Sequence, residues 1–190
     1  MQPQEQPVAN LVVAETEDDV LSFCFWGDQC ARDFLQWLDS LTLNDTLQVN
    51  VIAHNFQGYD GYFLVHQYYT DNQKVEQLRN GCKLLQVVHN DNIRFLDSLS
   101  FFQTPLSAFP KTFGSPNSKR ATFRTSSTSP KTKIPVPAID YYMPEVMSPD
   151  GRQAFEKWHK EQRGNQVVFD FQTELVAYCE SDIRLLKKGV

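Results

Sequence analysis

The stretch "HNFQGYDGYF", residues 54–63, directly follows an apolar run and combines a histidine, an asparagine, two glycines, two tyrosines and an aspartate. The run "LQVNVIAHN" is rich in β-branched residues, which predicts a buried strand that ends at Asn55. A helix is predicted from Gly58 to Tyr69, so Asp60 lies in its first turn. A carboxylate at a helix N-terminus either interacts favourably with the helix dipole or belongs to a functional site. Such an aspartate suits a metal-dependent active site when further carboxylates join it.

Strand and helix patterns alternate along the rest of the chain, which predicts a three-layer α/β domain. "CARDFLQWLDSL" and "DFQTELVAYCESDIRLLKK" have helical spacing, and Asp170 is the predicted N-cap of the second. "MSPDGRQAFEKWHKEQR" also predicts a helix, whereas "TPLSAFPKTF" predicts a short helix interrupted by Pro110. The strand predictions are Leu11–Ala14, Leu21–Trp26 and a hairpin of "KLLQVV" with "IRFLDSL".

Composition excludes several classes of protein. The 190 residues are 41% hydrophobic and 13% aromatic, typical of a globular domain. Because no run of about 18 apolar residues occurs, no membrane span is expected. "MQPQEQPVAN" lacks the features of a secretory signal, and the four cysteines predict reduced thiols. We therefore expect an intracellular protein, in a nucleus, a mitochondrion or a viral factory.

Charge is unevenly distributed along a chain whose net charge is −5. Residues 114–139 contain no acidic residue and five basic ones, Lys119, Arg120, Arg124, Lys131 and Lys133. This Ser/Thr/Pro-rich stretch predicts a loop. It is either a solvated surface loop or a mobile basic flap near a polyanion.

Tyr178 and Asp182 are four residues apart in the last predicted helix, so their side chains share one face. Two-metal nucleases bring carboxylates from several elements to a pair of cations, and a tyrosine hydroxyl often orients the attacking water. Asp60, Asp182 and Tyr178 have the side chains for these roles. Taken singly, Tyr-x-x-x-Asp is typical of a surface hydrogen bond, and Gly-Tyr-Asp of a helix start.

"AHNFQGYDGYFL" closely resembles the second exonuclease motif of family B DNA polymerases, in the protein-primed branch. "YCESDIRLL" is similar to the third motif of that branch, and "FLDSLSFFQTPLSAFPKTFG" to the segment between them. "IDYYMPEVMSPDGRQAFEKWHKEQ" resembles the spacer of polymerases from Maverick/Polinton-like transposons and related viral or organellar elements. The resemblance runs almost continuously from Asn10 to Leu186, and we take residues 10–190 as one exonuclease-like domain.

The resemblance implies a ribonuclease H-like (DEDD-type) 3′–5′ exonuclease fold that uses two Mg²⁺ or Mn²⁺ ions. Asp60 and Asp182 would be metal ligands, and Tyr178 would orient the nucleophilic water. The residues expected at a single-stranded 3′ end are Asn55, Tyr59, Ser98, Leu99 and Phe102, with Arg120 and Phe123 at loosely matching positions. Without the resemblance, Asp97-Ser98-Leu99 is typical of a strand-ending turn. A terminal protein primer is a possible partner of the parent polymerase.

The sequence departs from the family pattern at its start. The family carries an Asp-x-Glu motif on a first strand, upstream of "NLVVAE", but the nine residues before Asn10 include no aspartate. Glu15 and Glu17 come too late, and in "VVFDFQTE" Gln172 stands where the glutamate belongs. We therefore expect the first central strand to be missing. That would leave backbone groups unpaired on two flanking strands, each costing about 1–3 kcal/mol if buried.

These observations predict a polymerase fragment that covers the proofreading exonuclease region but has little activity. No polymerase motif such as Tyr-x-Asp-Thr-Asp occurs, so no DNA synthesis by this chain is expected. One alternative is a non-catalytic remnant that binds single-stranded DNA. Another is an unfolded or unexpressed fragment of a decayed mobile element.

Overall fold

The computed structural model describes residues 8–43, 47–113 and 133–190. The chain divides into two compact units, Met1–Lys119 with Asp182–Val190 and Arg120–Ser181. Strands and helices occur in both, so the predicted α/β class is confirmed. Within these residues, no helix is both long and apolar enough to cross a membrane.

The described part of the first unit contains six strands and three complete helices. The strands are β1 (Leu11–Glu15), β2 (Ser22–Trp26), β3 (Val49–Ala53), β4 (Glu76–Asn80), β5 (Lys83–His89) and β6 (Ile93–Asp97). The helices are α1 (Cys30–Leu41), α2 (Asp60–Thr70) and the short α3 (Phe109–Thr112).

Four of these strands form a mixed sheet in the order β3-β6-β5-β4. β3 runs parallel to β6, whereas β6, β5 and β4 are successively antiparallel. The parallel register places Ala53 opposite Asp97, at the carboxyl ends of both strands. Two stretches far apart in sequence therefore leave the sheet side by side.

A hydrophobic core lies between this sheet and the first two helices. Its buried members are Phe34, Leu35, Leu38, Phe56, Val65, Tyr68, Leu84, Val87, Ile93 and Phe95. The helical spacing in "CARDFLQWLDSL" predicts most of the α1 contribution correctly, but Leu41 is 38% exposed because it ends the helix.

β1 and β2 form a separate antiparallel hairpin that packs on α1. Among the described strands, β1 pairs only with β2, and β3 pairs only with β6. The hairpin and the strand before Asn55 therefore do not pair with each other within the described residues.

The second unit contains an antiparallel pair, β7 (Lys133–Pro135) with β8 (Val168–Asp170), and helix α4 (Pro149–Gly164). His159 of α4 is buried and its Nε2 donates to the Pro137 carbonyl oxygen at 2.7 Å. This bond ties the helix to the segment after β7.

The last helix, α5 (Phe171–Lys187), includes the boundary between the units. Asp170 Oδ1 accepts hydrogen bonds from the backbone N–H groups of Gln172 (3.1 Å) and Thr173 (3.4 Å), so the predicted N-cap is confirmed. At the other end of the helix, Lys187 Nζ donates to the Thr16 carbonyl oxygen at 2.6 Å and pairs with Glu15.

The structure differs from the sequence predictions at one missed strand and at two segments assigned wrongly. β4 was missed because "EQLRN" is largely exposed and lacks alternating apolar residues. Pro110 lies in the first turn of α3, where a helix needs no N–H donor, so it does not interrupt that helix. The predicted loop 114–139 includes β7, whose pairing with β8 is a long-range contact that local composition does not reveal.

Candidate functional site

The candidate site begins at the loop after β3, residues 54–59. Asn55 has a left-handed backbone (φ 63°), a conformation that asparagine tolerates better than most residues. Phe56 is buried and stacks on Phe95 of β6, with ring centroids 5.8 Å apart. A Cβ atom at Gly58 would lie 2.7 Å from Asn55 Oδ1, so glycine there leaves room for the Asn55 side chain to pack against the loop. The odd composition of "HNFQGYDGYF" thus makes a tight strand-to-helix turn.

The turn after β6 supplies the second half of the site. Asp97 is 1% exposed and accepts three backbone hydrogen bonds. Its Oδ1 accepts from Asn55 N (3.0 Å) and Leu99 N (2.9 Å), and its Oδ2 accepts from Gln57 N (2.9 Å). One carboxylate therefore joins the turn to the loop after β3. From sequence, Asp97 was expected only in a turn, although it was also predicted at the end of a strand, as Asn55 was.

Asp60 is the first residue of α2 and is exposed to solvent. The pKa of its carboxyl group is raised, mainly because surrounding protein atoms remove part of its hydration. The negative charge of Asp97 raises this pKa further. An aspartate whose charged form is disfavoured in this way would gain from a cation or a hydrogen-bond donor brought by a ligand.

Tyr59 and Phe101 are the exposed aromatic side chains of the loop and the turn. Tyr59 is 57% exposed and lies edge-on to Phe63, and Phe101 is 68% exposed. Each presents an apolar face on which a nucleic-acid base can stack. Phe101 was missed from the sequence, where nothing local distinguishes it from the neighbouring Phe102.

Three residues predicted to contact DNA are less accessible. Ser98 is 1% exposed, and its hydroxyl lies 2.8 Å from Nδ1 of His54. Leu99 is half-buried, and Phe102 packs in a cluster with Phe109 and Phe113. The predicted contacts of these three side chains with a DNA strand stay predictions.

Tyr178 and Asp182 both lie on α5 and are both half-buried. The unit boundary falls between Ser181 and Asp182, so the structure assigns them to different units. Their roles stay predictions. Arg120 and Phe123 lie outside the described residues.

The predicted Mg²⁺ or Mn²⁺ ions need several ligands that converge on one place. In residues 8–43, 47–113 and 133–190, no group of three or more His, Cys, Asp or Glu side chains is placed to hold a metal ion. Both oxygens of Asp97, the carboxylate that acts on Asp60, already accept backbone hydrogen bonds. These residues alone do not complete a two-cation site, and metal binding by Asp60 and Asp182 stays a prediction.

Fold and site together define an α/β protein with a candidate site at the carboxyl edge of two parallel strands. The sequence model of the family described as DNA polymerase type B, organellar and viral, matches residues 43–190. This match covers more than half of the chain, and the chain belongs to that family. Neither the curated proteins nor the solved structures yield a match.

Proposed function

We propose that the chain is the 3′–5′ exonuclease region of a type B DNA polymerase, with a ribonuclease H-like fold. Membership of a DNA polymerase family implies DNA as a partner and DNA replication as the process. The finer assignment is supported by "HNFQGYDGYF" and "YCESDIRLL", which resemble two exonuclease motifs. In the parent polymerase, a terminal protein would serve as primer, and the parent would come from a Maverick/Polinton-like element.

One observation carries this proposal more than any other. The parallel pairing of β3 with β6 and the three hydrogen bonds to Asp97 bring the loop that holds Asn55 and Tyr59, directly before Asp60, against the turn at Ser98 and Leu99. A single strand needs aromatic faces for its bases and polar groups for its phosphates. Exposed Tyr59 and Phe101, together with the polar groups of this edge, provide both kinds of contact.

In this proposal Asp60 and Asp182 bind divalent cations, Tyr178 orients the attacking water, and Asn55 and Tyr59 place the primer terminus. The 190 residues contain no Asp-x-Glu motif, and the described carboxylates supply no third ligand. We therefore expect this chain by itself to hold a single-stranded 3′ end but to hydrolyse it poorly.

Binding is tested with the full chain and a fluorescein-labelled single-stranded oligonucleotide, by fluorescence anisotropy. Tyr59→Ala removes an exposed ring from the loop, and stacking of one base on an aromatic ring contributes about 1–3 kcal/mol. We expect the affinity to fall roughly 5- to 150-fold. Tyr69→Ala is the matched control, because Tyr69 is 55% exposed and lies ten residues further along the chain, near the other end of α2. Equal affinities of the two variants would contradict the proposed site.

Hydrolysis is tested with a 3′-labelled single strand in Mg²⁺ or Mn²⁺. We expect degradation close to the background rate, and the same slow rate for Asp182→Ala. Rapid degradation that Asp182→Ala abolishes would contradict the expected impairment while supporting the exonuclease assignment.

The second candidate function is non-catalytic binding of single-stranded DNA. It is favoured because, among the described residues, no third carboxylate is placed to complete a metal site. It predicts that Asp60→Ala leaves DNA affinity unchanged in a gel-shift assay. Substitution of Arg120 and Arg124 should lower that affinity. No detectable binding at low salt would contradict both candidates.

A further inference from the structure

The carboxylate of Asp97 is the junction between the two halves of the candidate site. It lies at the last position of β6, is 1% exposed and accepts N–H groups from Asn55, Gln57 and Leu99 at 2.9–3.0 Å. Two of these donors belong to the loop after β3 and one to the turn after β6. A single side chain therefore connects the backbones of both segments.

The loop that Asp97 binds is held in an uncommon shape. Asn55 has φ 63°, which is accessible to few residues other than glycine and asparagine. With this backbone, the N–H groups of residues 55 and 57 both point at one carboxylate, Asn55 at Oδ1 and Gln57 at Oδ2. A buried acceptor that satisfies several donors at once makes their arrangement much more rigid than solvent would.

The loop held by Asp97 in turn determines the backbone positions of Tyr59 and Asp60. Gly58 N donates to the Asn55 carbonyl oxygen (2.9 Å), and Gly61 N donates to that of Phe56 (3.0 Å). Tyr59 and Asp60 lie between these two bonds. A shift of the loop at Asn55 or Gln57 therefore moves both side chains.

We propose that Asp97 is a positioning residue for the single-stranded DNA site, which acts by fixing the loop that carries Tyr59 and leads into Asp60. Asp97 itself is buried and does not touch the bound strand. The inference rests on the proposed function, because the positioned residues are the ones assigned to the 3′ end of DNA.

Asp97→Asn is the informative substitution, since it keeps the size of the side chain but replaces one accepting oxygen with an NH₂ group. That group cannot accept from a backbone N–H. If the NH₂ group replaces Oδ2, the Gln57 amide loses its acceptor; if it replaces Oδ1, the amides of Asn55 and Leu99 do. We expect the amides that lose their acceptor to exchange with solvent roughly tenfold faster, or more, than in the unmodified chain. Single-strand affinity should fall at least about tenfold under conditions where the variant is folded.

Ile93→Val is the matched control. Ile93 is fully buried at the opposite end of the same strand, and the loss of one methylene group costs stability without touching the loop. This variant should keep the affinity and the loop amide protection of the unmodified chain. If Asp97→Asn behaves like Ile93→Val in both measurements, Asp97 has only a general structural role and the inference is wrong.

A double-mutant cycle separates positioning from lost stability. If Asp97 acts through the loop, Tyr59→Ala should lower affinity much less in the Asp97→Asn background than in the unmodified chain. Additive effects of the two substitutions would overturn the inference. Should the unmodified chain fail to bind DNA, the proposed function fails, while amide exchange still tests whether Asp97 fixes the loop.

Discussion

Gly61 lies in the first turn of α2, beside the buried ring of Phe56. A Cβ atom there would lie 2.8 Å from Phe56 Cε1, 2.9 Å from Leu84 Cδ2 and 2.9 Å from the Phe56 carbonyl oxygen. Two of these atoms belong to the core and one to the backbone, so none moves away easily. At the scale of the residue, lack of a side chain is what allows α2 to start this close to the sheet.

We predict that Gly61→Ala destabilises the chain although alanine is the better helix former. The helical preference favours alanine by about 1 kcal/mol, whereas forcing a methyl group into a packed core costs about 1–3 kcal/mol. These two effects leave a net loss of about 0–2 kcal/mol, and urea unfolding should show a loss near 1 kcal/mol because all three close atoms resist displacement. Gly164→Ala, at the end of α4 with no neighbour within 4 Å of its Cβ position, should cost nothing. Equal stability of both variants would contradict the packing argument.

Tyr68 is a second residue whose side chain affects the free energy of unfolding. It is 1% exposed, and its hydroxyl has no hydrogen-bond partner among the described residues. The ring packs against His89, with centroids 4.4 Å apart, and lines a cavity of about 80 Å³ between α1 and α2. Burial without a partner disfavours a polar group and, with the nearby charge of Asp39, raises the pKa of this phenol.

We predict that Tyr68→Phe leaves the free energy of unfolding unchanged or raises it by up to about 1 kcal/mol, since a buried group without a partner is removed. Tyr62→Phe is the control, because the Tyr62 hydroxyl donates to the Cys82 carbonyl oxygen and its loss should cost about 0.5–1 kcal/mol. A loss above about 1 kcal/mol for Tyr68→Phe would show that water in the cavity bonds the hydroxyl.

At the scale of the element, β3 is the informative strand. It pairs with β6 on one side, and within the described residues no strand pairs with its other side. Val49 N donates to the Asn92 carbonyl oxygen at 2.8 Å, so alternation directs the N–H groups of Val51 and Ala53 toward β6 as well. Those of Asn50 and Ile52 point to the open edge.

We predict an alternating pattern of hydrogen exchange along β3. The amides of Asn50 and Ile52 should exchange roughly tenfold faster, or more, than those of Val51 and Ala53. Strand β5, which pairs on both sides, serves as the internal control. Uniform protection along β3 would mean that another segment or a second copy of the chain covers this edge.

At the scale of the whole molecule, charge opposes the proposed partner. The net charge is −5, so long-range electrostatics do not favour DNA. The excess of basic residues in 114–139 is the exception, and most of that segment lies outside the described residues. If it approaches the bound strand, phosphate contacts from this segment should dominate the dependence of binding on salt.

We predict that replacing Arg120 and Arg124 with glutamine lowers the slope of log affinity against log salt by about 1.4, because each arginine that neutralises a phosphate of a single strand adds about 0.7 to that slope. The control removes two charges from α4, Arg152→Gln with Lys157→Gln, where Arg152 is paired with Glu156. It should leave the slope unchanged. Equal changes in both variants would show that net charge alone matters.

Local signals predicted much of the fold. The periodicity of α1 and the cap of α5 depend on near neighbours in sequence, and the structure confirms both. The strand predicted before the polar loop is also present, but it ends at Ala53 rather than Asn55 and is half-buried rather than buried. Strand β4 was missed because its largely exposed residues lack an apolar alternation, although its partner β5 is the next strand along the chain. Strands β7 and β8 were missed because each is three residues long and pairs with a segment about 35 residues away. For the site, the sequence identified Tyr59 and Asp60 at the strand-to-helix turn. It predicted only a turn at Asp97, whose carboxylate holds that loop in place.

The sequence by itself determined the family and the chemical types at the candidate site, because motifs are local patterns of side chains. Tertiary structure alone decided which of those side chains meet and which remain accessible. Asp97 joins two segments about 40 residues apart because β3 and β6 pair in parallel, a contact that no local pattern encodes. In the same way, burial of Ser98 and exposure of Phe101 follow from packing around the turn, since neighbouring residues there face opposite environments.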